Sequence, residues 1–586
     1  MGPGYLGSAD LVCAQWRRPA HPHSKRRLGL GLASPAASEK HQQARAMSLR
    51  RRSRAAGSPP GDAGPPPSPE KATQIRPWAA LGSDRRVLAL ALAFRAANAL
   101  LVRTYFNPDE HWQCLEVAHR VAFGYGHLTW EWQRGLRGYL HPLIFAALYK
   151  VLALLHLDTP WFMVMAPRLL QSIFASFGDL YLYKLSKLIF NGQVAQWTLF
   201  SQLVNWFMFF CITRTLSNSM ETVLTVAGLY YWFTAIESSK QQVASKQSRT
   251  SRKVALLIAA LSCAIRPTSA VTWLYVGVLD FIQMKSKCHF VFLEVIPVGS
   301  IVLAVTTLVD WWMYGSRVIV PLNFLKFNLL SSGGDYYGTH VFHWYFTQGF
   351  PSMTWTFLPF AICGIVKSQE WRLSGLIAWV LGVYSILGHK EFRFVLPVLP
   401  LALMFSGYCL AAMSQFKGKN QHAKRRISRL QLSVSLLIIT NVPMALYMSL
   451  YHQRGTEDVM YYLSKEAHGG RVKSVLFLMP CHSTPYYSTL HYNLPMRLLD
   501  CTPSDNKGTL DESDSFLTSP SEFVGEVFGN LSTFSHIVLF ESEEGHVMHL
   551  LLRNSFLEVG RFFHAHFKVD RDLQSSVVVY SRRDVL

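Results

Sequence analysis

The sequence predicts an α-helical polytopic membrane protein of about eleven spans, with a small luminal α/β domain at its C-terminus. Two observations predict this class. Half of the 586 residues are hydrophobic, 13% are aromatic and only 16% are charged, whereas soluble proteins usually carry about 25% charged residues. In addition, apolar stretches of roughly 17 to 25 residues, long enough to cross a bilayer, recur between about residues 87 and 451.

The formal charge of +21 indicates a membrane topology rather than nucleic-acid binding. Residues 1–86 hold 15 Lys/Arg against 5 Asp/Glu. Most of the remaining excess lies in the short segments 240–253, 285–287 and 417–429. Basic residues confined to alternate loops mark the cytosolic side of a membrane protein. We therefore expect a cytosolic N-terminus and no nucleic-acid partner.

The predicted elements follow from this orientation. Residues 1–83 are expected to be disordered, because their Arg, Ser, Ala and Pro cannot bury enough apolar surface. Residues 84–451 form the predicted membrane domain, and its first span, 87–102, is expected to remain uncleaved. The short segment 141–157 is expected at the membrane interface, since only then do all basic loops face the cytosol. The other spans are predicted at about 162–183, 193–212, 218–236, 254–266, 267–284, 290–313, 350–367, 373–388, 395–413 and 431–451.

Residues 452–586 are predicted to form the luminal α/β domain. Three apolar runs with β-branched residues have the length of buried strands: 472–480, 535–540 and 575–580. The triplet Asn530-Leu531-Ser532 is a glycosylation acceptor, which agrees with a luminal location.

Nine cysteines are scattered without the spacing of a zinc site. Most lie in apolar spans and are expected to serve packing. Cys481 and Cys501 lie in the predicted luminal domain, where a disulfide is permitted. Spacing alone leaves open whether they pair.

The first predicted luminal loop contains two candidate catalytic carboxylates. In YFNPDEHWQCLEVAH, the dipeptide Asn107-Pro108 breaks the preceding helix, so Asp109 and Glu110 are expected at the start of the next one. Glycosyl transfer to a hydroxyl needs a base that accepts its proton. The alternative is an ordinary helix cap followed by a solvated helix.

A second candidate group is HKEFRF, 389–394, between two predicted spans. Lys390 and Arg393 could neutralise a phosphate, Glu391 could orient one of them, and His389 belongs to the same group. Polar residues between apolar spans cost free energy unless they are paired or functional. The alternative is a set of anchors that reach the membrane interface.

Two further polar groups are predicted. Arg214, with Asn218 and Glu221, is expected at the luminal edge. Arg266-Pro267 is expected within the membrane, where the proline could break the helix. Packing of helix ends is the alternative in both cases.

The loop 336–351 holds His340, His343 and Trp344 amid aromatics that could stack on sugar rings. The alternative is an aromatic belt at the interface. No further ligands for a metal bound by the two histidines can be identified, so no metal is expected.

Together these motifs are similar to those of GT-C superfamily mannosyltransferases, in the family that comprises the GPI-anchor mannosyltransferases and their asparagine-linked glycosylation relatives. The resemblance covers roughly residues 84 to 586. It rests on Pro108-Asp109-Glu110 and on HKEFRF. NPDEHWQCLEVAH and YGTHVFHWYFTQGFP most resemble the member that adds the third mannose.

The resemblance implies an inverting α1,2-mannosyltransferase of the endoplasmic-reticulum membrane. Its donor would be dolichyl-phosphate-mannose, and its acceptor the GPI precursor bearing two mannoses. Asp109 would be the base, with Glu110 as the alternative. Lys390 and Arg393, and also Arg214, would stabilise the departing phosphate, and no cofactor is expected.

Two other functions stay open at this point. One is a sister enzyme, which would add the fourth GPI mannose or act on the asparagine-linked precursor. The other is a polytopic lipid transporter with a polar path. A transporter should carry polar residues at mid-membrane depth and often an internal repeat, and no clear repeat is seen.

Overall fold

A computed structural model describes residues 83–240, 245–330, 338–416, 428–503, 510–567 and 574–585. These residues all belong to one structural unit. The predicted disordered tail lies outside them except for Ser83, and so does most of the basic segment 417–429. The predicted domain boundary at residue 451 stays a prediction.

Long helices dominate the first part of the chain, as the apolar stretches predict. They are Asp84–Leu101, Glu116–Phe123, Leu140–Leu154, Pro160–Ile189, Gly192–Val204, Ser217–Lys240, Ser245–Ile265, Ala270–Gln283, Ile296–Tyr314, Leu358–Ser368, Trp371–Ile386, Leu399–Phe416 and Arg429–Leu450.

Shorter helical segments connect the long ones. These are Trp130–Gln133, Trp206–Cys211, Lys287–Phe290, Val320–Leu325 and Phe350–Thr354, with 3₁₀ turns at Pro108–Glu110, Pro267–Ser269, Trp355–Phe357 and Phe392–Val398, and π-turns at His111–Leu115, Val291–Val295, Lys326–Leu330 and Tyr345–Gly349.

Four helical segments of the described chain are both long and apolar enough to cross a membrane: Lys287–Tyr314, Tyr345–Ser368, Phe392–Gln415 and Arg429–His468. Leu140–Leu154 and Trp371–Ile386 are apolar but shorter. The count of about eleven spans therefore stays a prediction. Leu140–Leu154 covers the segment expected at the interface, and its 15 residues reach only about 22 Å at 1.5 Å per residue.

Pro267 breaks the helical stretch at the position that the sequence predicts. The helix Ser245–Ile265 ends before Arg266, a 3₁₀ turn covers Pro267–Ser269, and the next helix begins at Ala270. Proline removes a helical hydrogen bond and clashes with the preceding turn. The break thus places the end of one helix next to the start of the following one.

One buried ion pair was not predicted. Arg95 of the first helix donates to the Asp179 carboxylate of helix Pro160–Ile189 through Nε and Nη2, at 2.7 and 3.0 Å. Gln202 donates to the same carboxylate at 3.1 Å. Since the charges are paired and hydrogen-bonded, their burial is tolerated, and they fix the first helix in register.

The C-terminal part contains a five-stranded mixed sheet. Its strands are β1 (Val475–Leu478), β2 (Met496–Leu498), β3 (His536–Phe540), β4 (Phe556–Phe563) and β5 (Ser576–Arg582). They lie in the order β2-β1-β3-β5-β4. β1 is parallel to β2 and β3, whereas β5 is antiparallel to β3 and β4. The helices around the sheet are Gly455–His468, Tyr487–Leu490, Glu512–Thr518, Pro520–Val527 and Glu541–Arg553, with a 3₁₀ turn at Leu531–Thr533.

Both faces of the central strands β1, β3 and β5 are buried, which explains their continuous apolar runs. One face packs on helix Gly455–His468 and on Trp112 of the first predicted luminal loop. The other face packs on helix Glu541–Arg553 and its neighbours. The helical fold with a small C-terminal sheet is thus confirmed, and the sheet contacts the loop that carries Asp109.

Candidate active site

The turn that carries Asp109 is built by the residues before it. The Asn107 side chain accepts a hydrogen bond from the Asp109 backbone N–H at 3.0 Å. Pro108 occupies the first position of the 3₁₀ turn, where its missing N–H costs nothing. The two carboxylates therefore stand at a helix start, as predicted. Their side chains diverge, since Asp109 is 14% exposed and Glu110 is fully buried.

Asp109 meets Arg393 of the HKEFRF segment. One oxygen of the Asp109 carboxylate contacts Nη1 of Arg393. The other edge of that guanidinium faces Glu391, with Nη2 donating at 2.7 Å and Nε forming a second bond. A guanidinium presents its donors as a rigid fork that suits carboxylates and phosphates alike. The two candidate motifs therefore form one site.

Glu391 is the centre of a small network. Nε2 of His389 lies 2.9 Å from its carboxylate, and Asn107 donates to it at 3.0 Å. Burial alone would raise the pKa of Glu391, but the positive charge of Arg393 and the bond from His389 hold that pKa well below its usual range. Tyr345 also donates to the Glu391 carbonyl at 2.9 Å. Glu391 is thus an anionic anchor for Arg393.

Glu110 lies behind Asp109, between two arginines. Arg214 donates to it at 2.8 Å and Arg168 at 3.3 Å. Burial would raise the pKa of Glu110, but these guanidiniums outweigh it and hold the pKa below its usual range. Arg214 also donates to the carbonyl and hydroxyl of Thr104, at 2.6 and 2.9 Å. Glu110 and Arg214 thus fix the loop from within.

Arg168 extends this network to the C-terminal part. Its Nη2 donates to Glu457 of helix Gly455–His468 at 3.0 Å, and its Nη1 donates to the Val102 carbonyl at 2.8 Å. Nε2 of His111 lies 3.1 Å from the same Glu457 carboxylate. A buried carboxylate thus connects the C-terminal part to two consecutive residues of the Asp109 turn, to His111 directly and to Glu110 through Arg168.

Lys390 points away from the Asp109–Arg393 pair. Its ammonium donates to the carbonyls of His340 and Leu387 at 2.9 and 2.5 Å, and the residue is only 3% exposed. These contacts hold the loop before Trp344 against the HKEFRF segment. A phosphate contact for Lys390 stays a prediction, and it would require these bonds to rearrange.

The predicted acceptor residues differ in accessibility. Trp344 is 3% exposed and packs between the rings of His340 and Phe392, with centroids at 4.7 and 4.8 Å. Its contact with a sugar would need the His340 ring to move. His343 is exposed and lies 3.2 Å from the Thr347 hydroxyl. Acceptor binding by these residues stays a prediction.

A second arginine approaches the site from the proline break. Arg266 pairs with Glu221 at 3.2 Å, and its guanidinium lies 5.2 Å from the centre of the Phe394 ring. Arg393 lies 5.6 Å from the same ring. Two guanidiniums thus contact the Phe394 ring. Asn218, the third member of the group predicted around Arg214, donates to the Arg393 carbonyl at 3.0 Å.

An apolar cavity of about 650 Å³ reaches the proline break, where Ala264 and Pro267 line it. Gly277 and Gly299 line it between helices Ala270–Gln283 and Ile296–Tyr314. Its volume is within the range of ligand sites in proteins, about 300–1,000 Å³. The cavity therefore adjoins the proline break at which Arg266 lies.

One group of three possible metal ligands occurs among the described residues, namely Cys481, His482 and Cys501. The two cysteines form a disulfide with Cα atoms 6.1 Å apart, so their sulfurs are bonded to each other. The question that spacing left open is answered in favour of pairing. This group lies beside Trp112, whose ring centre is 4.5 Å from that of His482.

Sequence reasoning missed Arg168, His111 and Glu457. Arg168 lies inside the predicted span 162–183, and an ionisable residue within a span is by default a functional candidate, so a signal was present. His111 directly follows the PDE motif. Glu457 offered no local signal, because its partners lie far away in the chain.

The fold is similar to that of a protein of known structure. ArnT from Cupriavidus metallidurans, in a crystal structure bound to undecaprenyl phosphate, superposes with a TM-score of 0.53 over 86% of this chain and 98% of that chain, at 11% sequence identity. At this identity the likeness shows the fold alone. The chain therefore shares its fold class with ArnT.

Sequence comparison shows the class of enzyme, which is a glycosyltransferase. The profile described as the Alg9-like mannosyltransferase family matches residues 86–491. The chain is 62% identical to Mannosyltransferase APTG1 of Arabidopsis thaliana over 85% of this chain and 92% of that protein. It is 41% identical to GPI alpha-1,2-mannosyltransferase 3 of Mus musculus over 86% and 90%, and 39% identical to the Homo sapiens protein of that name over 86% and 88%. The chain belongs to the Alg9-like mannosyltransferase family.

Proposed function

We propose that this chain is an inverting α1,2-mannosyltransferase that transfers the third mannose from dolichyl-phosphate-mannose to the GPI-anchor precursor in the lumen of the endoplasmic reticulum. The relatives named GPI alpha-1,2-mannosyltransferase 3 support this activity. A sugar–lipid donor and a glycolipid acceptor follow from the family. The identity of both lipids, the position of the added mannose and the compartment belong to the proposal.

The observation that carries the proposal is the contact between Asp109 and Arg393. It brings a carboxylate that can accept a proton next to a cation that can stabilise a phosphate. In an inverting transfer, the acceptor oxygen forms its bond to the anomeric carbon while the bond to the donor phosphate breaks. Asp109 accepts the hydroxyl proton in this step, and Arg393 stabilises the negative charge that develops on the leaving phosphate.

Glu391 prepares Arg393 for this role. Because Glu391 occupies Nε and one terminal nitrogen of the guanidinium, the fork is already ordered when substrate arrives. A preorganised donor avoids reorganisation at the moment of reaction. Glu110 and Arg214 stabilise the loop behind Asp109, so we assign them positioning roles and assign the base to Asp109.

The cavity suits the chain of a lipid donor. It is lined almost wholly by apolar side chains, among them Pro267, the residue that follows Arg266. A phosphate headgroup near Arg266 and Arg393 would leave the hydrocarbon chain in the cavity, where burial of apolar surface contributes about 25 cal/mol per Å². Positioning of both headgroups at the luminal edge then lowers the barrier by several kcal/mol.

The proposed orientation places the N-terminus in the cytosol, and the Asp109 loop and the C-terminal sheet in the lumen. Asn530 supports it, since it is exposed and belongs to an acceptor triplet. Expression in cells followed by endoglycosidase digestion tests the orientation. Digestion should increase the electrophoretic mobility of the unchanged protein but not that of Asn530→Gln. In sealed microsomes, protease cleavage of a tag on the C-terminus would refute the proposed orientation.

The activity is tested with purified protein in detergent, dolichyl-phosphate-mannose and a GPI precursor carrying two mannoses. We expect a product with three mannoses, whose last sugar is released by an α1,2-specific mannosidase. Null cells should accumulate the two-mannose precursor. Accumulation of the three-mannose species, or normal GPI with truncated asparagine-linked precursors, would instead identify a sister enzyme. Lipid movement without mannose transfer would identify a transporter.

A further inference from the structure

The C-terminal part of the chain reaches the catalytic turn through charges rather than through surface packing alone. Glu457, Arg168, Glu110 and Arg214 form a continuous chain of ion pairs, at 3.0, 3.3 and 2.8 Å. All four residues are at least nine-tenths buried. Two carboxylates face two guanidiniums, so the set is balanced in charge.

Each residue of this ion-pair series belongs to a different structural element. Arg214 follows helix Trp206–Cys211, and Arg168 lies in helix Pro160–Ile189. Glu457 lies in the first turn of helix Gly455–His468. Glu110 is the neighbour of Asp109 in the 3₁₀ turn. The direction of the Asp109 side chain therefore depends on the position of Glu110. Two arginines hold Glu110, and one of them, Arg168, also binds Glu457.

We propose that Glu457 and Arg168 are positioning residues for mannosyl transfer, through which the C-terminal part holds the Asp109 turn in its reactive geometry. Glu457 draws the Arg168 guanidinium away from Glu110 on one side, while Arg214 holds Glu110 on the other. If Glu457 loses its charge, Arg168 is left with one carboxylate and the buried set has one excess positive charge. Arg168 then moves toward Glu110, and the turn moves with it.

His111 gives a second, independent connection. Its Nε2 lies 3.1 Å from Glu457, and its ring stacks on Tyr105 with centroids 5.4 Å apart. The hydroxyl of Tyr105 in turn donates to the His482 carbonyl beside the disulfide. Both residues that follow Asp109 are therefore held, directly or through one arginine, by the same C-terminal carboxylate.

This inference rests on the proposed function, and a matched control separates positioning from simple attachment. Glu116, which lies in the same predicted luminal loop as Asp109, is another fully buried carboxylate. It too binds the C-terminal part. It accepts hydrogen bonds from the Tyr486 N–H at 2.9 Å and from the Ser488 hydroxyl at 2.6 Å. It takes no part in the ion-pair chain described above. Glu116→Gln thus weakens the same interface outside the Glu457–Arg168–Glu110 chain.

The experiment measures kcat, KM and thermal unfolding of the full chain purified in detergent, with dolichyl-phosphate-mannose and the two-mannose acceptor. In Glu457→Gln and Arg168→Lys we expect kcat to fall about 10- to 100-fold, the size that a misplacement near 1 Å can cause. KM for the donor should change less than about threefold, because the phosphate and the lipid chain contact other residues. Glu457→Asp should recover most of kcat.

In Glu116→Gln, mannose transfer should fall only as far as the amount of folded protein falls. Equal effects on kcat in Glu116→Gln and Glu457→Gln would overturn the inference and leave the proposed function intact. Failure of both Glu457→Gln and Arg168→Lys to fold would also overturn it, since the pair would then be structural. If the unchanged protein transfers no mannose, the proposed function fails and the inference falls with it.

Discussion

The carboxylate of Asp109 contacts the guanidinium of Arg393, and the same guanidinium is held on its other edge by Glu391. This relationship joins two segments from opposite halves of the chain. A cation shared by two carboxylates stays charged and ordered. A donor phosphate that reaches this site therefore meets a fixed positive charge with a candidate base beside it.

Replacing Asp109 with Asn should remove the base and keep the shape of the turn. General base catalysis contributes about 10²- to 10⁴-fold, so we expect kcat to fall by that factor while donor KM changes little. The measurement is mannose transfer by purified Asp109→Asn at matched protein concentration. Asp158→Asn is the control, since that carboxylate is 35% exposed and lies 3.6 Å from His491. Full activity in Asp109→Asn would exclude Asp109 as the base.

Arg393→Lys tests whether the fork of the guanidinium is needed in addition to its charge. A lysine ammonium is a point charge that cannot bind Glu391 and Asp109 with the same geometry. We expect kcat to fall by about 10- to 100-fold, which corresponds to about 1.4–2.7 kcal/mol at 1.36 kcal/mol per tenfold change.

The chain offers a closely matched control for this variant. Arg372 binds Glu370, two residues before it, through Nε and Nη2 at 2.6 and 2.9 Å, which reproduces the spacing of Arg393 and Glu391. It lies at the other end of helix Trp371–Ile386. Arg372→Lys should keep normal transfer. A similar loss in both variants would show that the bidentate pair only stabilises the helix end.

The sequence predicts the helical class, three of the five strands and the two motifs that meet at Asp109, because long apolar runs and helix-breaking residues act locally. It does not reveal β2 and β4, which lie at the two edges of the sheet. β2 has only three residues, and β4 is largely exposed and interrupted by a bulge at Glu558, so neither forms a continuous apolar run.

Contacts between distant charges are the other part that sequence alone does not give. The sequence predicts that Arg214 binds phosphate, and in the structure it contacts Glu110 and Thr104, so its phosphate contact stays a prediction. The same phosphate contact is predicted for Lys390, whose ammonium contacts main-chain carbonyls in the structure. The type of residue shows which chemistry is possible, and only the fold shows which partner each charge meets.

The cavity predicts a selective effect of bulky residues on the donor chain. Gly277 and Gly299 line it, and a Cβ added at either position meets no atom within 4 Å, so a phenylalanine side chain can extend into free space. We expect Gly277→Phe and Gly299→Phe to raise KM for dolichyl-phosphate-mannose about tenfold or more. KM for an analogue with a short isoprenoid chain should change much less.

Gly382→Phe is the control for the cavity variants. An added Cβ at Gly382 likewise meets nothing within 4 Å, but this residue of helix Trp371–Ile386 is not among those that line the cavity. It should leave both KM values unchanged. Equal KM changes for long and short donors in Gly277→Phe would place the lipid chain elsewhere.

Acid should destabilise the contact between the first predicted luminal loop and the C-terminal part through His119. Burial, and then the charge of His491, lower the pKa of His119 from 6.5 to about 3. Nε2 of His119 lies 3.1 Å from Nδ1 of His491, and Asp158 lies on the far side of His491 at 3.6 Å. His119 is therefore neutral in the folded protein at neutral pH.

The direction of the pH effect follows from proton uptake. Below about pH 6.5 the unfolded chain binds a proton at His119 that the folded chain does not bind until about pH 3. Stability is therefore complete above that window and falls as the pH drops through it, by about 1.4 kcal/mol per pH unit for one group. Thermal unfolding midpoints measured in detergent from about pH 7.5 to 5 should fall more steeply in the unchanged protein than in His119→Gln. His343→Gln, at an exposed histidine, should keep the original slope; identical slopes in all three proteins would show that His119 does not control the acid sensitivity of this interface.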